Sequence, residues 1–230
     1  AVSISSASSC TLLGGVFAVS LQLFLAFAAL STLIYKRLLE HPKRPIIVWL
    51  FDVSKQGVGA VIVHIWNMAL SIWLAEFKNN SSEDECALYF LQFTIDVVIG
   101  TFMIWVMVGW QKRLADRFNI KSLQKSGFYG SPPKFGRFLV QLTAYVFLVS
   151  LVKTILGVVV IFFNMPIEEL GNVIFLPLRN YPSAELIVVM ILCPWILNSI
   201  QFWIIDTIVM NDEDKKGDMT QYKLIEEVES

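Results

Sequence analysis

Residues 138–163 read FLVQLTAYVFLVSLVKTILGVVVIFF, twenty-six positions with a single charge, Lys153. At about 1.5 Å of rise per residue, a helix of this length crosses a hydrocarbon core about 30 Å thick. The run is continuously apolar and does not alternate, so it is not a strand of a membrane β-barrel. Working outward, four more stretches have the same character: 12–35, 46–75, 87–110 and 184–210. The predicted fold is all-α, a polytopic membrane protein with a bundle of five transmembrane helices in one domain over 1–210, followed by a short acidic tail over 211–230. The composition agrees. With 56% hydrophobic residues, 16% charged residues and a mean hydropathy of +0.63, the 230-residue chain carries more apolar surface than a soluble domain of its size can bury. A net charge of −1 excludes the basic excess of a nucleic-acid-binding domain.

The first stretch does not read as a cleaved signal. No basic segment precedes it, its apolar run is long, and Lys36-Arg37 follow it, so a retained helix is expected. Basic residues then orient the bundle. Lys36, Arg37, Lys43 and Arg44 fall in the first connection, seven more between 112 and 137 in the third, and Lys215, Lys216 and Lys223 in the tail. The second connection has only Lys78 and the fourth only Arg179. Fourteen against two predicts a lumenal N-terminus and a cytosolic C-terminus, which an odd number of spans satisfies.

The lumenal side then acquires two further expectations. Asn79-Asn80-Ser81-Ser82 holds two overlapping acceptor sites, making Asn79 and Asn80 candidates for N-glycosylation. Cys10 and Cys86 fall at the same lumenal face, where an oxidising compartment permits a disulfide; Cys193, inside the fifth span, reads as a small apolar side chain. On the cytosolic side, Trp110, Leu114, Phe118, Ile120 and Leu123 are interspersed among basic residues, a pattern suited to anionic membrane lipid as well as to ordinary topology.

Six titratable residues lie within the spans: Asp52, Lys55, His64, Asp96, Lys153 and Asp206. Each is costly in hydrocarbon and is expected to face the bundle interior with a partner. Asp96 and Lys153 come out roughly 14–15 Å below the lumenal face, so they can pair, with Gly100 and Gly157 one turn away to permit close helix approach. His64 lies at a similar level. Asp52, Lys55 and Asp206 form a second expected cluster toward the cytosolic side. Pro194 should loosen the fifth helix. The charges admit two readings: neutralised pairs that fix which helix meets which, or a polar path for protons or ions.

No Walker loop, His-Glu-x-x-His, Gly-x-Ser-x-Gly or Cys-x-x-Cys motif occurs, and two histidines make a metal site unexpected. No enzymatic activity and no cofactor are expected.

The order of certain motifs goes further. Ser31-Thr32-Leu33 with Lys36-Arg37, Trp49-Leu50-Phe51-Asp52-Val53-Ser54-Lys55-Gln56, Cys86-Ala87-Leu88-Tyr89 with Phe93 and Asp96, Gly127-Phe128-Tyr129-Gly130-Ser131-Pro132, and Phe202-Trp203 with Asp206 resemble the STIMATE family. Gln56, Tyr129, Gly130 and Trp203 are the motif positions outside the charged set. The resemblance implies a non-enzymatic regulator of the endoplasmic reticulum. Animal members act at contacts with the plasma membrane, helping the calcium sensor STIM to activate Orai channels in store-operated calcium entry. Cys10 with Leu12-Leu13-Gly14 is more similar to the fungal, vacuolar type, which leaves a vacuolar or lysosomal membrane as the alternative location. The tail is short and acidic where animal members carry a longer cytosolic segment. The rival expectation is a proton- or ion-linked transporter using Asp96, Lys153 and His64. Membrane lipids and a STIM-like membrane protein are the expected partners, and no nucleic acid is.

Overall fold

The computed structural model describes residues 15–77, 85–162 and 182–210. Cys10, Asn79, Asn80, the side chain of Cys86 and the tail lie outside the described residues, and with them the expected disulfide and glycosylation sites. Among the described residues every regular element is helical: α1 (Gly15–Leu39), α2 (Ile46–Phe77), α3 (Glu85–Arg117), the single turn α4 (Lys121–Gln124), α5 (Phe135–Phe162), α6 (Pro182–Ile187) and α7 (Cys193–Val209). Five helical stretches are long and apolar enough to cross a membrane: Val19–Leu39, Ile46–Leu70, Phe90–Arg117, Phe135–Phe162 and Val188–Val209.

The fifth crossing is not a uniform helix. Between α6 and α7 lies a π-helical segment, Val188–Leu192, closed by the Cys193 N–H donating to the Val188 carbonyl. Pro194 follows at once and has no N–H to give. The wider π turn absorbs the register that a proline disrupts in a regular α-helix, so the expected loosening takes this defined form.

In the bundle, α7 packs against α1, α2 and α3, while α5 packs against α2 and α3. Its apolar centre is Ile104, Tyr145, Val149, Val152, Leu156, Ile205 and Val209. Outer faces expose Leu23, Phe27, Val61, Phe102, Phe147 and Ile196, the inverse of a soluble protein and the pattern that lipid solvation stabilises. Among the described glycines, Gly59 lies closest to a neighbouring helix: an added Cβ there would stand 2.7 Å from Tyr145 Cε1. An added Cβ at Gly100 would stand 3.3 Å from Leu156 Cδ1, but one at Gly157 would meet Leu70 only at ordinary contact, 3.9 Å.

The third connection begins as a continuation of the third span. α3 continues to Arg117, and Trp110, Leu114 and Phe118, four residues apart, extend its exposed apolar face. The helix then stops in a Schellman arrangement: Asn119 adopts φ 54°, its N–H donates to the Asp116 carbonyl, and the Ile120 N–H donates to the Ala115 carbonyl. Residues 120–134 fold back over the bundle as a compact cap.

Candidate functional site

Beneath that cap lies a buried polar network. α1 brings Lys36 from its last turn. Glu40 and Arg44 come from the 40–45 turn, where Pro45 leads into α2 and the Pro45 carbonyl accepts from the Trp49 N–H. About two and three turns into α2 stand Asp52 and then Lys55 and Gln56, on one side of the helix because three- and four-residue spacings share a face. Asp206 arrives from α7, three residues after Trp203.

Arg44 is the hub. It holds Glu40 bidentately, Nε to Oε2 at 3.1 Å and Nη2 to Oε1 at 2.5 Å. Its Nη1 donates to Asp52 Oδ2 at 3.0 Å and its Nη2 also to Asp206 Oδ2 at 2.9 Å. The planar fork of guanidinium donors is what lets one cation serve three carboxylates. Lys36 meets Asp206 Oδ2 at 2.9 Å, and donates to the Trp203 carbonyl at 3.0 Å and to Thr207 Oγ1 at 2.5 Å, beneath the Trp203 ring. Lys55 meets Asp52 Oδ1 at 3.1 Å and Gln141 Oε1 at 3.3 Å. Gln56 Nε2 donates to Asp206 Oδ1 at 3.0 Å. Asp52 is fully buried, and Arg44, Lys55 and Asp206 nearly so. Three cations face three carboxylates, so the cluster is neutral as a unit. Dehydration opposes the charge on Arg44, yet the Glu40 hydrogen bonds and the Asp206 and Asp52 charges outweigh it and raise its pKa further above the ordinary guanidinium value.

The Gly-Phe-Tyr-Gly motif caps this network. Gly127 (φ 72°) and Gly130 (φ 100°) both sit in left-handed backbone, which favours glycine. Between them the chain dips inward, and Tyr129 donates from its hydroxyl to Asp52 Oδ1 at 2.7 Å. Burial pushes the Tyr129 phenol up from its ordinary value, with the neighbouring Asp52 charge adding to the shift, so it stays a neutral donor. Phe51 stacks on Phe138 (4.5 Å between ring centroids) and meets Tyr129 edge-on (5.0 Å), covering the hydroxyl from one side. Gln141 clamps the cap to α5: its amide donates to the carbonyls of Ser122, Lys125 and Phe128, and its own carbonyl accepts from the Gly127 N–H.

Asp96 and Lys153 form a separate ion pair between α3 and α5, with side chains 20% and 9% exposed. His64 does not join them. It is exposed on α2, where the inward expectation does not hold. α2 docks on α5 through Gly59, and five further residues turn the helix roughly 140° away from that contact line.

The structure thus brings Asp52, Lys55 and Asp206 together with Gln56, Tyr129 and Trp203, and adds Lys36, Glu40, Arg44 and Gln141, which the sequence reading did not include. A sequence model of the STIMATE family matches residues 86–211, more than half of the chain. The chain belongs to the STIMATE family. This is a family of regulator-type membrane proteins. The chain is also 24% identical, over 216 aligned residues, to a vacuolar membrane protein of Saccharomyces cerevisiae, an alignment covering 87% of this chain and 79% of that protein. No solved structure matches it. The family match spans the Gly127–Gly130 motif, Gln141, Trp203 and Asp206, whereas the other five network charges, from Lys36 to Lys55, precede the matched segment.

Beside the network a cleft of about 290 Å³ opens among α3, α5 and α7, with Lys55 and Gln141 in its lining. Asp96 and Lys153 do not line it. Among the described residues no three His, Cys, Asp or Glu side chains gather in a way that could hold a metal ion.

Proposed function

We propose that this STIMATE-family protein is a non-enzymatic adaptor of an endomembrane, in the class that couples a STIM-like calcium sensor to Orai-type channels, with its capped, basic end in the cytosol. The observation that carries the reading is the neutral, interlocked charge network. A transport path needs a charge that can gain and lose partners, whereas Arg44, Asp52 and Asp206 each hold two or more partners at once. Such a unit fixes α1, α2, α5, α7 and the cap in one arrangement and so presents a rigid surface to a partner. The vacuolar name of the yeast relative favours a vacuolar or lysosomal membrane over the endoplasmic reticulum.

A transporter using the more exposed Asp96–Lys153 pair is the alternative. Two measurements separate them. Purified protein in liposomes should give no proton or cation flux above empty liposomes. Co-expression with a STIM-like sensor and an Orai-type channel in cells lacking endogenous family members should raise calcium entry after store depletion. Flux from the purified protein together with unchanged calcium entry would overturn the adaptor reading.

A further inference from the structure

α7 ends against the cap and the cleft. Ile208 and Val209 line the cleft together with Val108, Lys112, Leu123 and Ser126. The Ser126 hydroxyl donates to the Val209 carbonyl at 2.9 Å, Met210 is buried, and its backbone turns extended (φ −64°, ψ 147°), so the segment 211–230 starts out from this point. That segment lies outside the described residues, but its sequence is acidic: seven carboxylates against three lysines, with Asp212-Glu213-Asp214 at its beginning.

The surface it leaves has the opposite balance. From 112 to 137 the chain carries seven basic residues and one carboxylate, Asp116. Arg113, Arg117 and Lys121 are exposed, and none of the three forms an ion pair among the described residues. All three adjoin the cleft. Arg113 follows Lys112, Arg117 lies one turn and about 6 Å further along α3, and Lys121 begins the α4 turn that holds Leu123. Around the axis of α3, Arg113 and Arg117 stand about 100° and 140° from Lys112, short of the exposed apolar stripe of Trp110, Leu114 and Phe118 at about 160–240°. Asp212 is three residues from Val209, which keeps its Cα within about 11 Å of that residue, and Asp214 stays within about 18 Å. A tether this short holds the acidic triplet at an effective concentration in the millimolar range, so exposed ion pairs that are weak singly suffice together.

We propose that the C-terminal segment folds back on its own chain, with Asp212, Glu213 and Asp214 against Arg113, Arg117 and Lys121. The tail then masks the cations at the capped end from an anionic membrane or an acidic partner. Anionic headgroups and the tail of a second copy carry the same charge, but neither is tethered three residues from the site. The contact does not depend on the adaptor reading.

The test uses full-length protein in phosphatidylcholine liposomes, isotopically light and heavy chains mixed equally, treated with a carbodiimide that joins lysine to carboxylate at ion-pair distance and read by peptide mass spectrometry. Lys121 is expected to join Glu213 within one chain about tenfold more than between light and heavy chains. The yield should fall about fivefold in about 1 M salt. Asp212→Arg with Asp214→Arg keeps both reacting groups yet should lower the yield about fivefold, and so should Arg113→Glu with Arg117→Glu; all four together should restore it, with the thermal midpoint unchanged throughout. Equal joining between light and heavy chains would make a second copy the occupant, and a yield abolished when phosphatidylserine replaces part of the phosphatidylcholine would make it the anionic membrane. Either result overturns the proposal, as would charge reversals that leave the yield unchanged.

Discussion

At the capped end of the bundle, six charges from α1, the 40–45 turn, α2 and α7 share one buried site, whereas between α3 and α5 Asp96 and Lys153 form, among the described residues, a separate and partly exposed pair. Both arrangements are neutral, but they answer the cost of burial differently. The lone pair balances one charge with one charge and leaves its remaining hydrogen-bonding capacity to its surroundings. In the network Asp52 and Asp206 are each shared between two cations, and Tyr129, Gln56 and Gln141 supply hydrogen bonds that the ions alone do not. Dehydrated ions are favourable only when such surplus capacity is met, so the network tolerates far less change than the pair.

That contrast is broken most severely at the hub. Arg44→Met leaves Glu40, Asp52 and Asp206 with two lysines between them, and should cost about 3–5 kcal/mol or prevent folding, read as unfolding in detergent or loss of monodisperse protein. Tyr129→Phe removes only the hydroxyl that serves Asp52 and should cost about 1.5–3 kcal/mol, with the fold retained. At the pair, Lys153→Met strands a single carboxylate and Asp96→Leu in the same chain restores neutrality. The double variant should recover about 1–2 kcal/mol of the loss, and equal stability of single and double variants would remove the pair from the account.

The smallest effect is on pH dependence. The folded Tyr129 pKa is raised above its ordinary value of 10.0, so its contribution is complete below about pH 10 and is lost as pH rises beyond it. Wild type should therefore lose stability relative to Tyr129→Phe above about pH 10, while the difference between them stays constant from pH 6 to 9.

The lone pair was legible in the sequence because each partner interrupts a long apolar run, and depth along two helices follows from counting residues. Five helices were legible for the same reason. Half of the network was not. Lys36 and Arg44 lie where positive charge is expected for topological reasons, which hides a structural use. Glu40, four residues before Arg44, was the available sign of an ion pair. Gln141 sits near the start of a strongly apolar helix, and its role depends on a cap that folds back from distant residues. The positions of Gly127 and Gly130 around Tyr129 did signal a turn, but the side chain's destination depends on tertiary packing. His64 shows the converse limit, since depth alone does not say which way a helix face points.

A double-mutant cycle between Arg44 and Asp206 tests most directly whether the charges act as one closed unit. Arg44→Met with Asp206→Leu leaves Glu40, Asp52, Lys36 and Lys55, which are again balanced, and full-length protein in detergent can be unfolded thermally or with denaturant. A coupling of about 1.5–3 kcal/mol, with the double variant markedly more stable than the sum of the single losses allows, is the expected result. Additive losses with no coupling would contradict a shared network and return these residues to the status of independent charges.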